Sequence, residues 1–302
     1  MKDSMVLTGG KILWWLALML GAVVFVPLSA AADDDIEESY EARLETARVD
    51  LFVACMEEGL LLVDRSNELS NTLSDPAITK LEVATHETEI DSMVARSRWL
   101  MDGCMAHTLE VLLESAYIID DWLIDDLLLD ASREKIVGVY AKAVSLTGDD
   151  FGLSDDLARY GVDVDNLPEF EISGSGYAEG LEATRVNIAV ACLDELVLLL
   201  ERQQEMGEEV RRIRGTKVTD DYVNRMRAEL ESNQSRMVWL MEECFNPMYL
   251  LLAEISSSEG LILDESSERF NAAVKRFSVA AHNVLGIYED SMYFARVHNR
   301  VK

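Results

Sequence analysis

The stretch VACMEE at residues 53–58 returns as VACLDE at residues 190–195, each time around a cysteine. Extending the comparison without a gap lays residues 40–65 over 177–202. Twelve of the 26 positions are then identical, among them Tyr40/Tyr177, Glu45/Glu182, Arg48/Arg185, Cys55/Cys192, Glu58/Glu195 and Arg65/Arg202. A second block follows in each half: RSRWLMDGC (96–104) and RMVWLMEEC (236–244) share R-x-x-W-L-M-x-x-C. A weaker third block pairs LLLDASREK (127–135) with LILDESSER (261–269). Three blocks in one order, at offsets of 137, 140 and 134, describe an internal duplication.

Each copy reads as helix. In the first block Val49, Phe52, Val53, Met56, Leu60 and Val63 recur at helical spacing, and the second copy keeps all six apolar. Leu44, Leu51, Cys55 and Leu62 add a second stripe, so each of these helices must touch more than one neighbour. Breaks are expected at SDPA (74–77), with Asp75 as a cap and Pro76 as first helical residue. In the second copy they fall at Gly215 and Thr219, and Asp130 and Asp264 open a third helix in each unit. The fold class expected is therefore an all-α, internally duplicated bundle. It consists of two long antiparallel hairpins, each followed by a shorter third helix.

Residues 1–32 read as a signal peptide: Lys2 and Lys11 precede the apolar run 12–28, and Ala30 and Ala32 sit at A-x-A positions. An uncleaved membrane anchor is the alternative reading. Units at 33–148 and 177–302 follow, joined by an acidic linker over 149–176. The expected compartment is the periplasm or the exterior, where four cysteines pair as disulfides. Cys55 and Cys104 are equidistant from the turn near Pro76, and Cys192 and Cys244 from the turn at 215–219. In an antiparallel hairpin such residues lie opposite one another, which predicts Cys55–Cys104 and Cys192–Cys244.

The same register places Arg96 against Asp64 and Arg236 against Glu201, with Arg48 near Glu114 and Arg185 near Glu254. It sets Trp99 and Trp239 opposite Leu60 and Val197, as core residues. It also brings Glu58 to Asp102 and Glu195 to Glu242, carboxylate pairs of the kind that hold a hard cation such as calcium. Asp163 and Asp165 in the linker match the start of a calcium loop, without its glycine. No cofactor is otherwise implied.

The formal charge of −29 works against nucleic acid as a partner. After the N-terminal run, no stretch is long and apolar enough to span a bilayer. The four histidines are scattered and unduplicated, and SREK (132–135) lacks companion motifs, so no catalytic set assembles. The expectation is a non-enzymatic adaptor or scaffold acting on another exported or envelope protein with a basic face. Homo-oligomerisation is compatible with that role. The competing expectation is a cation- or ligand-responsive sensor using the acidic clusters.

Overall fold

The computed structural model describes residues 39–115, 129–148, 152–167, 176–213, 219–259 and 264–298, which belong to one unit. The leader reading lies outside them, as do parts of the linker and residues 299–302. The described chain is predominantly helical, with no strand among those residues.

Two long helices form the centre, α1 (Tyr40–Leu73) and α6 (Tyr177–Ile213). They are apolar on several sides: Val49, Leu51 and Cys55 of α1, and Val186, Ile188, Ala189, Cys192 and Leu193 of α6, have no exposed surface. A helix of that kind is stable only when enclosed. The pair runs antiparallel, since contacts climb one helix as they descend the other. Arg43 meets Glu201 at 3.0 Å, Arg48 meets Glu195 at 2.9 Å and Arg185 meets Glu58 at 3.0 Å. At one end Arg65 lies over the Tyr177 ring, 5.7 Å from its centroid, and at the other Arg202 covers Tyr40 at the same distance. The midpoint of this series is Val53 and Val190, where the repeated hexapeptides begin.

Outer helices complete the array. From α1 the chain turns into α2 (Lys80–Arg98), passes a π-helical segment (Trp99–Met105) and continues as α3 (Ala106–Ser115). From α6 it turns into α7 (Asp220–Trp239), a second π segment (Leu240–Phe245) and α8 (Asn246–Glu259). Cys55 bonds Cys104 and Cys192 bonds Cys244, with Cα separations of 6.4 and 6.3 Å, so each disulfide joins a central helix to a π segment. R-x-x-W-L-M-x-x-C thus adopts a π turn in both places, a conformation rare in soluble proteins and enriched at functional sites.

α4 (Asp130–Thr147) covers a further side of α1 through Ile136, Val139 and Ala143, and Lys142 reaches Glu57 at 2.5 Å. α9 (Asp264–His298) covers α6 through Ala273, Phe277 and Ala281, with Arg276 on Asp194 at 2.6 Å. α9 has 35 residues, against 18 in α4, so the third helix of the second half is long and not short.

Two local details differ from expectation. Pro76 lies in the turn, where Asp75 Oδ1 accepts from the Ala77 N–H at 2.8 Å; α2 begins later, at a Thr79/Glu82 capping box. The reciprocal Thr79–Glu82 bonds satisfy two amide donors at once and outcompete a proline start. Within the linker, α5 (Ser154–Arg159) docks Leu153 and Leu157, both buried, and Val164–Asn166 forms one 3₁₀ turn.

Candidate functional site

The conspicuous chemistry lies between the central helices. Glu58 is fully buried and accepts from Arg96 Nε at 2.9 Å, Arg96 Nη2 at 2.5 Å and Arg185 Nε at 3.0 Å. Glu195, also fully buried, accepts from Arg236 Nε at 2.9 Å, Arg236 Nη2 at 2.7 Å and Arg48 Nε at 2.9 Å. Each carboxylate thus takes a two-bond clasp from an arginine of its own half and a third bond from the other half. Burial alone would push the Glu195 carboxyl up, but Arg236 and Arg48 outweigh it and hold it below the usual glutamate value. Trp99 and Trp239 carry their rings beside these guanidiniums, at 4.1 Å from Arg96 and 4.4 Å from Arg236. Both tryptophans are half-buried and serve as lids on the arginines, not as core residues.

This arrangement corrects the expected ion pairs. Arg96 is on Glu58 and not Asp64; Arg236 is on Glu195 and not Glu201, which pairs instead with Arg43. The turn-centred register misses these partners both in height, by about 9 Å along the helix, and in direction around it. Six residues separate Glu58 from Asp64, as they do Glu195 from Glu201. At about 100° per residue each pair points to different sides of its helix. The side chains of Glu114 and Glu254 lie outside the described residues, while Arg48 and Arg185 bind Glu195 and Glu58.

The carboxylate pairs proposed for a cation do not form. Asp102 and Glu242 are exposed on the π segments, whereas Glu58 and Glu195 are sealed among arginines. A buried carboxylate is costly without a counter-charge, and a clasping guanidinium is the available partner. Asp163 and Asp165 are exposed in the 3₁₀ turn, where Asp163 Oδ2 accepts from Asn166 Nδ2 at 2.7 Å. Among the described residues no group of three or more His, Cys, Asp and Glu side chains could hold a metal ion.

A cleft opens beside each cluster. The first, about 610 Å³, lies over Arg96 and Arg185 and is walled by Thr85, Thr88, Met93 and Tyr177. The second, about 480 Å³, lies over Arg48 and Arg236, between α3 and α7. Its walls include Ser232, Asn233, Ser235 and Trp239 from one stripe of α7, with His107 from α3. The His107 ring packs against Trp239 with centroids 4.3 Å apart. Desolvation, reinforced by Arg236, lowers the His107 pKa, so the imidazole is neutral at pH 7. Asn233, Ser232 and Ser235 escaped sequence reasoning because nothing in a helical serine–asparagine stripe distinguishes a cleft wall from a solvated face. For Asn233 and Ser235 the only signal available was departure from the other copy, which has Met93 and Ala95 there; Ser232 has its like in Ser92.

Compared with protein-family models, curated proteins and solved structures, the chain matches none of them. No helix among the described residues is long and apolar enough to cross a membrane.

Proposed function

We propose that the chain is an exported, non-enzymatic helical adaptor or scaffold, descended from a duplicated hairpin unit and held in shape by its disulfides and crossed ion pairs. The observation that carries this reading is the exposure of α2 and α7, which bury one residue each, Met93 and Arg236. Leu81 on α2 is 79% exposed, and Val94 on α2 and Val223 on α7 stand out beside it. A helix that buries so little of itself, fixed to a rigid centre, is suited to receive another protein along its length. The charge of −29 favours a partner with a basic face in the periplasm or outside the cell.

In-cell cross-linking of a tagged copy, with mass spectrometry of the captured species, tests the reading. A stoichiometric partner should be captured and should disappear with Leu81→Asp, Val94→Asp and Val223→Asp while the melting temperature holds. Self-cross-links alone, at good labelling efficiency, would overturn it.

A further inference from the structure

The two clefts occupy corresponding places but differ in chemistry. Around the first, Arg96 Nη2 is capped by the Met248 thioether at 3.1 Å, and the Tyr177 hydroxyl points to Met93 Sδ at 3.9 Å. At the offset of the second repeat block, Met248 corresponds to Thr108, Met93 to Asn233, Ala95 to Ser235 and Pro247 to His107. On the cleft walls themselves Met93 thus becomes Asn233, while Ser92 and Ser232 are the same in both; Thr108 and His107 replace Met248 and Pro247 nearby. A neutral drift of packing residues would be expected to conserve their apolar character at buried positions, and Thr108 is fully buried.

The second cleft also holds more donors than its protein acceptors can satisfy. Both oxygens of Glu195 are engaged, by Arg236 Nε and Nη2 and by Arg48 Nε. Arg236, whose side chain is 5% exposed, keeps an Nη1 with no hydrogen-bond partner, and Asn233 Nδ2 has none either. A buried donor left unpaired costs about 1–3 kcal/mol. Both side chains border one cleft together with Ser232 and Ser235, and an oxygen acceptor entering it would satisfy these sealed donors once they turn toward it.

We propose that the cleft over Arg48 and Arg236 binds a small organic monocarboxylate. Its carboxylate meets Arg236 and Asn233, and its carbon skeleton rests on Trp239. Guanidinium and carboxylate are matched in geometry and charge. A volume of about 480 Å³ is in the range of small-molecule sites. The guanidiniums of Arg48 and Arg236 both bind the buried carboxylate of Glu195, which sets two arginines on the wall of this cleft. The acidic remainder of the protein acts through solvent, where its field decays over about 8 Å at physiological salt. Glu110, exposed at the rim and 3.6 Å from His107, turns away ligands carrying further carboxylates. This site goes beyond the adaptor reading and stands independently of it.

Calorimetric titration of the full-length chain with acetate and benzoate, against succinate, sulfate and neutral benzamide at matched ionic strength, tests the assignment. Hydrogen exchange then maps the binding position. One monocarboxylate should bind saturably at one site per chain and protect the amides of α7. Installing the first cleft's residues, with Asn233→Met and Ser235→Ala together, should weaken binding about tenfold or more, the loss expected when hydrogen bonds to a charged group are removed. The mirror change Met93→Asn should leave binding unaltered. Equal response to sulfate, protection elsewhere, unchanged affinity in the double variant, or no saturable binding of either carboxylate would each overturn the proposal. Where the double variant fails to fold, the position of protection in the unaltered protein decides.

Discussion

Replacing Glu195 with glutamine leaves Arg236 and Arg48, with side chains 5% and 10% exposed, around a neutral amide. Removing one member of a buried ion pair costs about 3–5 kcal/mol, because the remaining charge is desolvated without compensation. Glutamine keeps one oxygen acceptor, which places the expected loss near the lower end, about 3 kcal/mol. For a domain of this size that corresponds to about 6–12 °C in melting temperature. Urea titration at pH 7, with disulfides intact and calorimetry in parallel, measures it. The informative comparison is the triple variant Glu195→Leu, Arg48→Met, Arg236→Met, in which no charge is stranded. Such replacements are neutral or stabilising by about 1–4 kcal/mol in packed interiors. The triple variant should therefore be at least as stable as the unaltered protein, and far more stable than Glu195→Gln. A Glu195→Gln loss below about 1 kcal/mol, the worth of a surface pair, would refute the reasoning that the cluster is desolvated.

Cys55→Ala with Cys104→Ala opens a link of 49 residues and should lower stability by about 4 kcal/mol on loop entropy, read as the shift in urea midpoint. An equal midpoint would show that the π turn holds without its bond. The urea midpoint should also fall on both sides of a neutral plateau. Glu195 has its folded pKa lowered, so its contribution is complete above its unfolded value of about 4.5 and is lost as pH drops through the folded one. His107, lowered by desolvation, is protonated first in the unfolded chain, so loss begins below its unfolded value of about 6.5. Tyr40 is raised to about 12, chiefly by burial, so its contribution holds up to its unfolded value of 10.0 and disappears as pH climbs through 12. A midpoint that rises between pH 7 and pH 4 would contradict this assignment. Gly59→Ala places a methyl where no atom lies within 4 Å and should raise stability by about 0.5–1 kcal/mol in a thermal melt, which a decrease would refute.

The helical class and the two cysteine pairs were legible in the sequence, for definite reasons. The apolar stripes of 49–63 and 186–200 carry a 3.6-residue period, and distance from a turn sets height along a hairpin. Thr219 was legible as a cap because a side-chain oxygen three residues before an amide is a local property; it accepts from Tyr222 N–H at 3.3 Å. The partners of the arginines were not legible. A repeat invites each copy to be read as self-contained, and nothing in it announces a bond from one half to the other. The bonds to Glu195 and Glu58 depend on how α1 and α6 cross, which only tertiary packing decides. Trp99 misled for a related reason: large apolar area suggests core, yet a guanidinium alongside competes for the ring face. The cleft of Asn233 and Ser235 was hidden because its signal is a difference between copies, while attention follows their likeness.

The exchange of arginines between halves bears on symmetry. Arg48 and Arg185 hold the same place in their repeats, so two separate copies of one hairpin unit could trade arginines as the fused halves do. In such a two-fold dimer every substitution is made twice, and both clefts must change together. Tethering the units in one polypeptide removes that obligation. One cleft can keep Met93 on its wall while its counterpart carries Asn233 there, and the common frame of crossed charges remains untouched.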